Sequence, residues 1–294
     1  METLKRKDKK MRTEKEMYDL ILNIAKSQPQ VKAVALTGSR VNPNATKDSF
    51  QDYDVVYLVD EKKALLRDRS WLENFGKRLI MQCPEEMTLF PATLGACFTF
   101  LMLFLDGNRI DLTLCPIKNK EEWLAQEKIV KTLWDPTHLL PTFSQNSKTP
   151  YFVKKPTQAE FLDCCNEFWW VSTYVVKGLW RQENLYAIDH LYGTCQKELR
   201  RLLTWQVALK YNDKIDTGKN DKYLLHFLQA DVSQNLMGLF DFTTLAKTWE
   251  SLFATQQLFQ QNAISYAEKC GFSYDLQTAE NVLDYCKQWY PGNL

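Results

Sequence analysis

The stretch LTGSRVNPNATKDSFQDYDVVYLVD, residues 36–60, decides the fold of the first half of this chain. It begins at the end of an apolar, β-branched run, Val31–Leu36, which predicts a strand. A polar segment that opens with Gly38 and Ser39 follows, and a second apolar run, Val55–Val59, predicts the next strand. The stretch therefore predicts two strands of a small sheet, joined by a polar connection.

Two acidic residues stand where the second strand opens. Residues i and i+2 of a strand project from one face, so Asp52 and Asp54 present their carboxylates side by side. Close carboxylates repel each other unless a cation lies between them, and Mg²⁺ takes such oxygen ligands together with substrate phosphates. A third acid, Asp111, stands in the apolar run Arg109–Leu114, where a carboxylate needs a partner. The three acids therefore predict a shared metal site.

The turn that precedes these acids suits an anion. Gly38 permits close approach of the backbone to a phosphate, Ser39 adds a hydroxyl donor, and the following amides can surround an anion. Taken alone, a D-x-D pair usually means two solvated acids, and a G-S pair is merely a turn. Their order along the chain, followed by an isolated Asp in a later strand, favours a nucleotide and metal site.

Outward from this stretch, the first half of the chain alternates helices with strands. The Asp106-Gly107-Asn108 sequence between two apolar runs is a hairpin signal. The other predicted elements of this half are a helix Glu14–Ala25, a short helix Trp71–Phe75, hairpin strands Cys97–Leu105 and Arg109–Leu114, and a helix Lys118–Gln126. This is an α+β or α/β unit, residues 1–150, with a small mixed sheet flanked by helices.

The second half, residues 151–294, is predicted to be all helical. The segment Thr142–Pro156, rich in proline and polar residues, predicts a linker, and Thr157 with Glu160 predicts a capping box. No proline occurs between Thr157 and Tyr290. The predicted helices are Thr157–Arg181, Leu185–Tyr211, Lys222–Leu228, Phe242–Ala267 and Leu276–Trp289.

Composition excludes several classes of protein. The 294 residues include 37 Lys and Arg against 36 Asp and Glu, so the formal net charge of +1 gives no general field for nucleic acid or an anionic membrane. Eight cysteines without a C-x-x-C, and only three histidines, predict reduced, buried thiols and no His-based metal site. The N-terminus lacks an apolar signal core, and the longest apolar run, Ala96–Leu105, is too short to span a bilayer. We expect a cytoplasmic protein.

The ordered acids resemble those of a known superfamily. Gly38-Ser39, Asp52-x-Asp54 and the later Asp111 resemble the DNA polymerase β-like nucleotidyltransferases. Longer motifs resemble the aminoglycoside 6-adenylyltransferases, which modify streptomycin, and this resemblance covers essentially the whole chain after residue 10. Those motifs are GSRVNPN (38–44), DSFQDYDVVYLVD (48–60), MQCPEEM (81–87), LMLFLDGNRIDLTL (101–114) and EFWWVSTYVVKGLWRQENLYA (167–187).

The resemblance implies transfer of AMP from ATP to a hydroxyl, at the 6-position, of the streptidine ring of streptomycin, with release of pyrophosphate. Two Mg²⁺ ions held by Asp52, Asp54 and Asp111 would clamp the attacking and leaving oxygens. Asp111 is also the position from which relatives draw a general base, and the sequence does not separate the two roles. The helical domain is expected to complete the acceptor cleft.

The remaining site residues are assigned by charge. Gly38, Ser39 and Arg40 are expected to bind the nucleotide, together with Lys177, which lies on one helix face with Arg181. Between Thr157 and His190 five acidic residues outnumber two basic ones, and such a surface would favour a drug that carries guanidinium groups. Glu167 and Asp163 are the candidates for this contact, against the alternative of a solvated helix face.

Three alternatives stay open at this stage. The chain could be a nucleotidyltransferase for another small molecule, a toxin-type enzyme that modifies protein or RNA, or a binding module without activity. A protein or RNA target would favour a basic rim around the cleft, and the chain is neutral overall. The intact acidic triad argues against an inactive module. The sequence leaves the oligomeric state and the choice between ATP and GTP undecided.

Overall fold

The computed structural model describes residues 10–43, 45–127, 129–141 and 152–291. The chain divides into two compact units, residues 1–150 and 151–294. The predicted linker Thr142–Pro156 falls mostly on residues outside the described ranges. No helix in the described part is both long and apolar enough to cross a membrane.

A mixed six-stranded sheet forms the centre of the first unit, as far as the structure describes it. Its order is β3-β4-β5-β2-β1-β6, and all neighbours are antiparallel except the parallel pair β2 and β5. The strands are β1 (Val31–Leu36), β2 (Tyr53–Val59), β3 (Arg78–Gln82), β4 (Phe98–Phe104), β5 (Arg109–Pro116) and β6 (Lys131–Trp134).

Helices cover both faces of this sheet because its central strands are apolar on both sides. One face packs against α1 (Glu14–Ser27) and a 3₁₀ turn, Ser70–Phe75, whose Trp71 and Phe75 are buried. The other face packs against α3 (Lys120–Gln126) through Trp123. A short helix, α2 (Lys63–Arg67), follows β2. The predicted α+β class is confirmed.

The second unit is helical throughout its described residues. Its core includes Phe168 of α4 stacked on Phe259 of α9, with ring centroids 3.6 Å apart. Thr157 caps α4 and Glu160 completes the predicted capping box. The helices are α4 (Gln158–Trp180), α5 (Asn184–His190), α6 (Gln196–Lys210), α7 (Leu224–Phe227), α8 (Ala230–Gly238), α9 (Leu245–Cys270) and α10 (Leu276–Gln288).

Several predicted elements need correction. The predicted helix Leu185–Tyr211 is two α-helices joined by a π-helical turn, Leu191–Cys195, and periodicity alone does not distinguish that turn from α-helix. The helix predicted from Phe242 to Ala267 instead begins after Thr244, whose side chain caps it, and ends at Gly271 in the left-handed conformation. Helix α8 and strands β3 and β6 were not predicted.

All eight cysteines are free thiols, and six of them are buried. This confirms the prediction of reduced, buried cysteines. Burial raises the pKa of the Cys165 thiol to about 12, which keeps it protonated and unreactive near neutral pH.

The Asp106-Gly107 turn anchors the chain entering α1 to the β4–β5 hairpin. The Arg12 Nε donates to Asp106 Oδ2 at 2.5 Å, and its Nη1 donates to the carbonyl of Phe75 at 2.7 Å. The Asn108 side chain donates to the same carboxylate at 3.0 Å. Partial burial alone raises the pKa of Asp106, but the hydrogen bonds from Arg12 and Asn108 outweigh burial and lower that pKa to about 2.

We predict that Asp106→Asn lowers the free energy of unfolding by about 1–2 kcal/mol at pH 7, after allowance for partial solvent screening. Because the pKa falls on folding, the Asp106 contribution is complete above the unfolded value of 3.8 and is lost as pH falls toward 2. Urea unfolding followed by circular dichroism measures the effect. Asp19→Asn, which breaks the exposed pair with Lys15, is the control and should change little. Equal stabilities of Asp106→Asn and wild type would contradict the anchoring role.

Candidate active site

The parallel pairing of β2 with β5 brings the predicted acids together. Asp54 lies directly opposite Asp111 in the register of these strands. Asp52 stands just before β2, and carboxylate oxygens of all three acids lie within 4.8 Å of one another. Strand β2 begins at Tyr53, two residues before the predicted start at Val55, so Asp54 lies on the strand and Asp52 directly before it.

The site concentrates negative charge. Burial first, and then the neighbouring Asp52 and Asp111 carboxylates, raise the pKa of Asp54 to about 7, while Arg109 opposes the shift. Three hard oxygen donors at this spacing form a suitable ligand set for a divalent cation such as Mg²⁺. Burial and the neighbouring carboxylates together raise that pKa, and a bound cation would offset both effects by stabilising the ionised form of Asp54.

Arg109 is the basic residue that the structure adds to this site. Its Nε and Nη2 donate to the two oxygens of Asp111 at 2.8 and 2.7 Å, and its Nε lies 3.8 Å from Asp52 Oδ2. The sequence analysis offered only a metal as the partner of Asp111. Arg109 precedes Asp111 by two residues on β5, so the i, i+2 rule that paired Asp52 with Asp54 could have found it.

The glycine at position 38 is required by the carboxylate of Asp54. Gly38 has φ +70°, and a Cβ at this position would lie 1.8 Å from Asp54 Oδ2. The Thr37 amide also donates to the carbonyl of Asp54 at 2.9 Å. Gly38 therefore lets the turn lie directly against the triad, whereas the sequence analysis explained it only by the approach of a phosphate. The Ser39 hydroxyl beside it accepts a long contact, 3.5 Å, from the Gln51 side chain.

Arg40 holds the loop that leads into β2. Its Nε and Nη2 donate to the carbonyls of Asp52 and Gln51 at 2.9 and 2.8 Å, and its guanidinium lies 3.6 Å from the ring centroid of Tyr53. These bonds hold the backbone directly before β2, where Asp52 lies. The predicted contact of Arg40 with a nucleotide stays a prediction.

A cavity of about 230 Å³ adjoins the triad within the first unit. Asp54 and Asp111 form part of its wall, and Trp123 and Glu127, at the end of α3, form another part. The hydroxyls of Thr99 and Thr113, 2.9 Å apart, are hydrogen-bonded across β4 and β5 in its lining. Sequence reasoning missed this cavity, because no local pattern indicates that α3 leaves the face of the sheet partly open.

The predicted site residues of the second unit lie on α4. Asp163 and Glu167 are exposed, and neither makes an ion pair with another residue that the structure describes. The Lys177 ammonium lies 4.7 Å from the ring centroid of Tyr174 and 5.4 Å from that of Tyr186. The binding roles of these three residues stay predictions.

Comparison with known proteins agrees with the motifs. Residues 11–289 match the family model described as Streptomycin adenylyltransferase. The chain is 40% identical over 265 residues to an aminoglycoside 6-adenylyltransferase of Bacillus subtilis (strain 168), covering 90% of this chain and 93% of that protein. It is also 40% identical over 275 residues to an aminoglycoside 6-adenylyltransferase of Campylobacter jejuni, covering 94% and 95% of the two chains.

A solved structure belongs to the same group of relatives. The crystal structure of an aminoglycoside 6-adenyltransferase from Bacillus subtilis is similar at 36% sequence identity with a TM-score of 0.47, covering 96% of this chain and 100% of that chain. The family match spans nearly the whole sequence and includes the three clustered acids. This chain therefore belongs to the streptomycin adenylyltransferase family, the nucleotidyltransferases known as aminoglycoside 6-adenylyltransferases.

Proposed function

We propose that this protein transfers AMP from ATP to the 6-hydroxyl of the streptidine ring of streptomycin and releases pyrophosphate. The observation that carries the proposal is the cluster of Asp52, Asp54 and Asp111, with oxygens within 4.8 Å, in a chain of this family. Nucleotidyl transfer needs positioning and charge neutralisation more than covalent catalysis, and such a cluster serves both needs.

Asp52, Asp54 and Asp111 are the residues that would hold magnesium, and we propose two ions. When bound, these ions would neutralise the charge that develops on the phosphate and lower the pKa of the acceptor hydroxyl. The residues themselves fix where the reacting groups meet, since the β2–β5 register sets the positions of Asp54 and Asp111. Arg40 holds the backbone of Asp52.

Asp111 is the proposed acceptor of the hydroxyl proton. Both oxygens of Asp111 accept hydrogen bonds from Arg109, so Arg109 must withdraw before either oxygen can take a proton or a metal. The Arg109 side chain is 47% exposed and can move into solvent without breaking core packing. Arg109 thus keeps the triad compact and partly neutralised until substrates arrive.

The substrates differ in charge, and the proposed contacts follow that difference. Gly38 and Ser39 would meet the ATP phosphates through the turn that lies against the triad, and we assign Arg40 and Lys177 to the same anion. Asp163 and Glu167 on α4 would hold the cationic drug, because carboxylates bind guanidinium groups through paired hydrogen bonds.

Incubation with ATP, Mg²⁺ and a panel of aminoglycosides, followed by mass spectrometry, tests the proposed function. Streptomycin should gain the mass of one AMP. Transfer of AMP to kanamycin but not to streptomycin would refute the proposed acceptor.

Asp54→Asn should remain folded, because the change relieves repulsion between carboxylates, and its rate of AMP transfer should fall by several orders of magnitude. Retention of more than about a tenth of the rate, a loss below ~1.4 kcal/mol, would refute the role of Asp54 in metal binding.

Asp111→Asn should abolish transfer while binding of Mg-ATP weakens only modestly, if Asp111 is a base as well as a ligand. Isothermal titration with a non-hydrolysable ATP analogue, beside single-turnover rates, separates the two roles. Loss of nucleotide binding together with activity would reduce Asp111 to a metal ligand. A large fall in melting temperature with residual activity per folded molecule would make Asp111 a structural residue.

Glu167→Gln and Asp163→Asn should each raise the KM for streptomycin more than the KM for ATP. Streptomycin binding should also weaken with added salt, because attraction at an exposed site is screened over roughly 8 Å at physiological ionic strength. Steady-state kinetics at two salt concentrations provide both measurements. Glu250→Gln, an exposed acid paired with Lys247 on α9, is the control. Unchanged KM values for both α4 variants would exclude these acids from drug binding.

A further inference from the structure

We propose that the cavity beside the triad binds the guanidinium-bearing ring of the acceptor, and that Glu127 determines acceptor specificity by holding one guanidinium group of that ring. The inference rests on the proposed function and adds the place where the reacting ring sits. It is independent of the α4 acids, which the sequence alone suggested.

The position of the cavity carries the first step. Asp54 and Asp111 belong both to the triad and to the wall of the cavity. A ring that enters the cavity therefore brings its hydroxyl groups next to Asp111, the proposed proton acceptor.

The charge of the cavity selects its occupant. Its lining includes four carboxylates, those of Asp54, Asp111, Glu122 and Glu127, and none of the described lining residues is Lys or Arg. The nearby Lys62 ammonium donates to the carbonyl of Ala96, so it is directed at the backbone. Under the proposed function magnesium would compensate the charges of Asp54 and Asp111, which leaves Glu122 and Glu127 as the anions of this wall. These two carboxylates favour a cation over a triphosphate. The acceptor, rather than the nucleotide, therefore fits this space.

Glu127 combines two features that suit a guanidinium group. The indole Nε1–H of Trp123 donates to Glu127 Oε1 at 3.2 Å and so orients the carboxylate, while its other oxygen is bonded to no residue in the described ranges. Guanidinium is planar, binds carboxylates through paired N–H donors and stacks on aromatic rings. The adjoining Trp123 lines the same cavity. An ammonium group, as on kanamycin-type drugs, lacks this planar fork.

The test is Glu127→Gln, which keeps the shape and an acceptor for the indole N–H but removes the charge. We expect at least a tenfold rise in the KM for streptomycin and in the inhibition constant of free streptidine, with the KM for ATP within twofold of wild type. For Glu127→Asp, which keeps the charge on a shorter side chain, both constants should lie between those of the wild type and those of Glu127→Gln. Glu121→Gln is the matched control, because Glu121 lies on α3, the helix that ends directly before Glu127, pairs with Lys120 at 3.2 Å and does not line the cavity.

The outcomes separate this inference from the proposed function. If the wild-type protein does not modify streptomycin, the proposed function fails. If the wild type modifies streptomycin but Glu127→Gln and Glu127→Asp bind streptidine normally, only the inference is overturned. A rise in the KM for ATP alone would make the cavity a nucleotide pocket and would also overturn it. Should Glu127→Gln unfold, shown by its melting curve, the streptidine affinity of Glu127→Asp decides.

Discussion

The mutual repulsion of Asp52, Asp54 and Asp111 is the constraint on which the rest of the first unit depends. Three carboxylates within 4.8 Å stay together only if the backbone holds them there and nearby groups compensate their charge. The parallel β2–β5 register supplies the backbone restraint by placing Asp54 opposite Asp111. Helices on both faces of the sheet then make that register difficult to change.

The residues around the triad accommodate or compensate the three carboxylates in different ways. Gly38 leaves room for the Asp54 carboxylate where any side chain would collide with it. Arg40 acts on the backbone of Asp52, and Arg109 acts directly on the charge of Asp111. Burial and the remaining repulsion from Asp52 and Asp111 together raise the pKa of Asp54. Three oxygen donors in this arrangement suit a divalent cation, and under the proposed function magnesium would take over the compensation that Arg109 provides.

The elements that the sequence analysis missed show which structural information local sequence patterns do not contain. Strand β3, RLIMQ, lies at the edge of the sheet and exposes most of its side chains, so it has no alternation between buried and polar positions. Strand β6 has four residues, too few for a periodic pattern. The π-helical turn Leu191–Cys195 includes buried apolar residues like the helices around it, so its sequence pattern does not differ from that of an α-helix. In each case long-range packing, which a sequence window does not contain, determined the conformation.

The sequence by itself determined the class of fold, the central strands, the capping box at Thr157, the reduced cysteines and the identity of the three acids. These features depend on residues close together in the chain or on chemistry that a residue type carries alone. Only the tertiary structure decided that Asp54 lies opposite Asp111 and that Gly38 makes room for a carboxylate. It also placed Glu127 and Trp123 beside the triad. The physical reason is that residues 60–108 separate strands β2 and β5 in sequence, and that no local pattern specifies the parallel pairing of these strands, which brings the acids together.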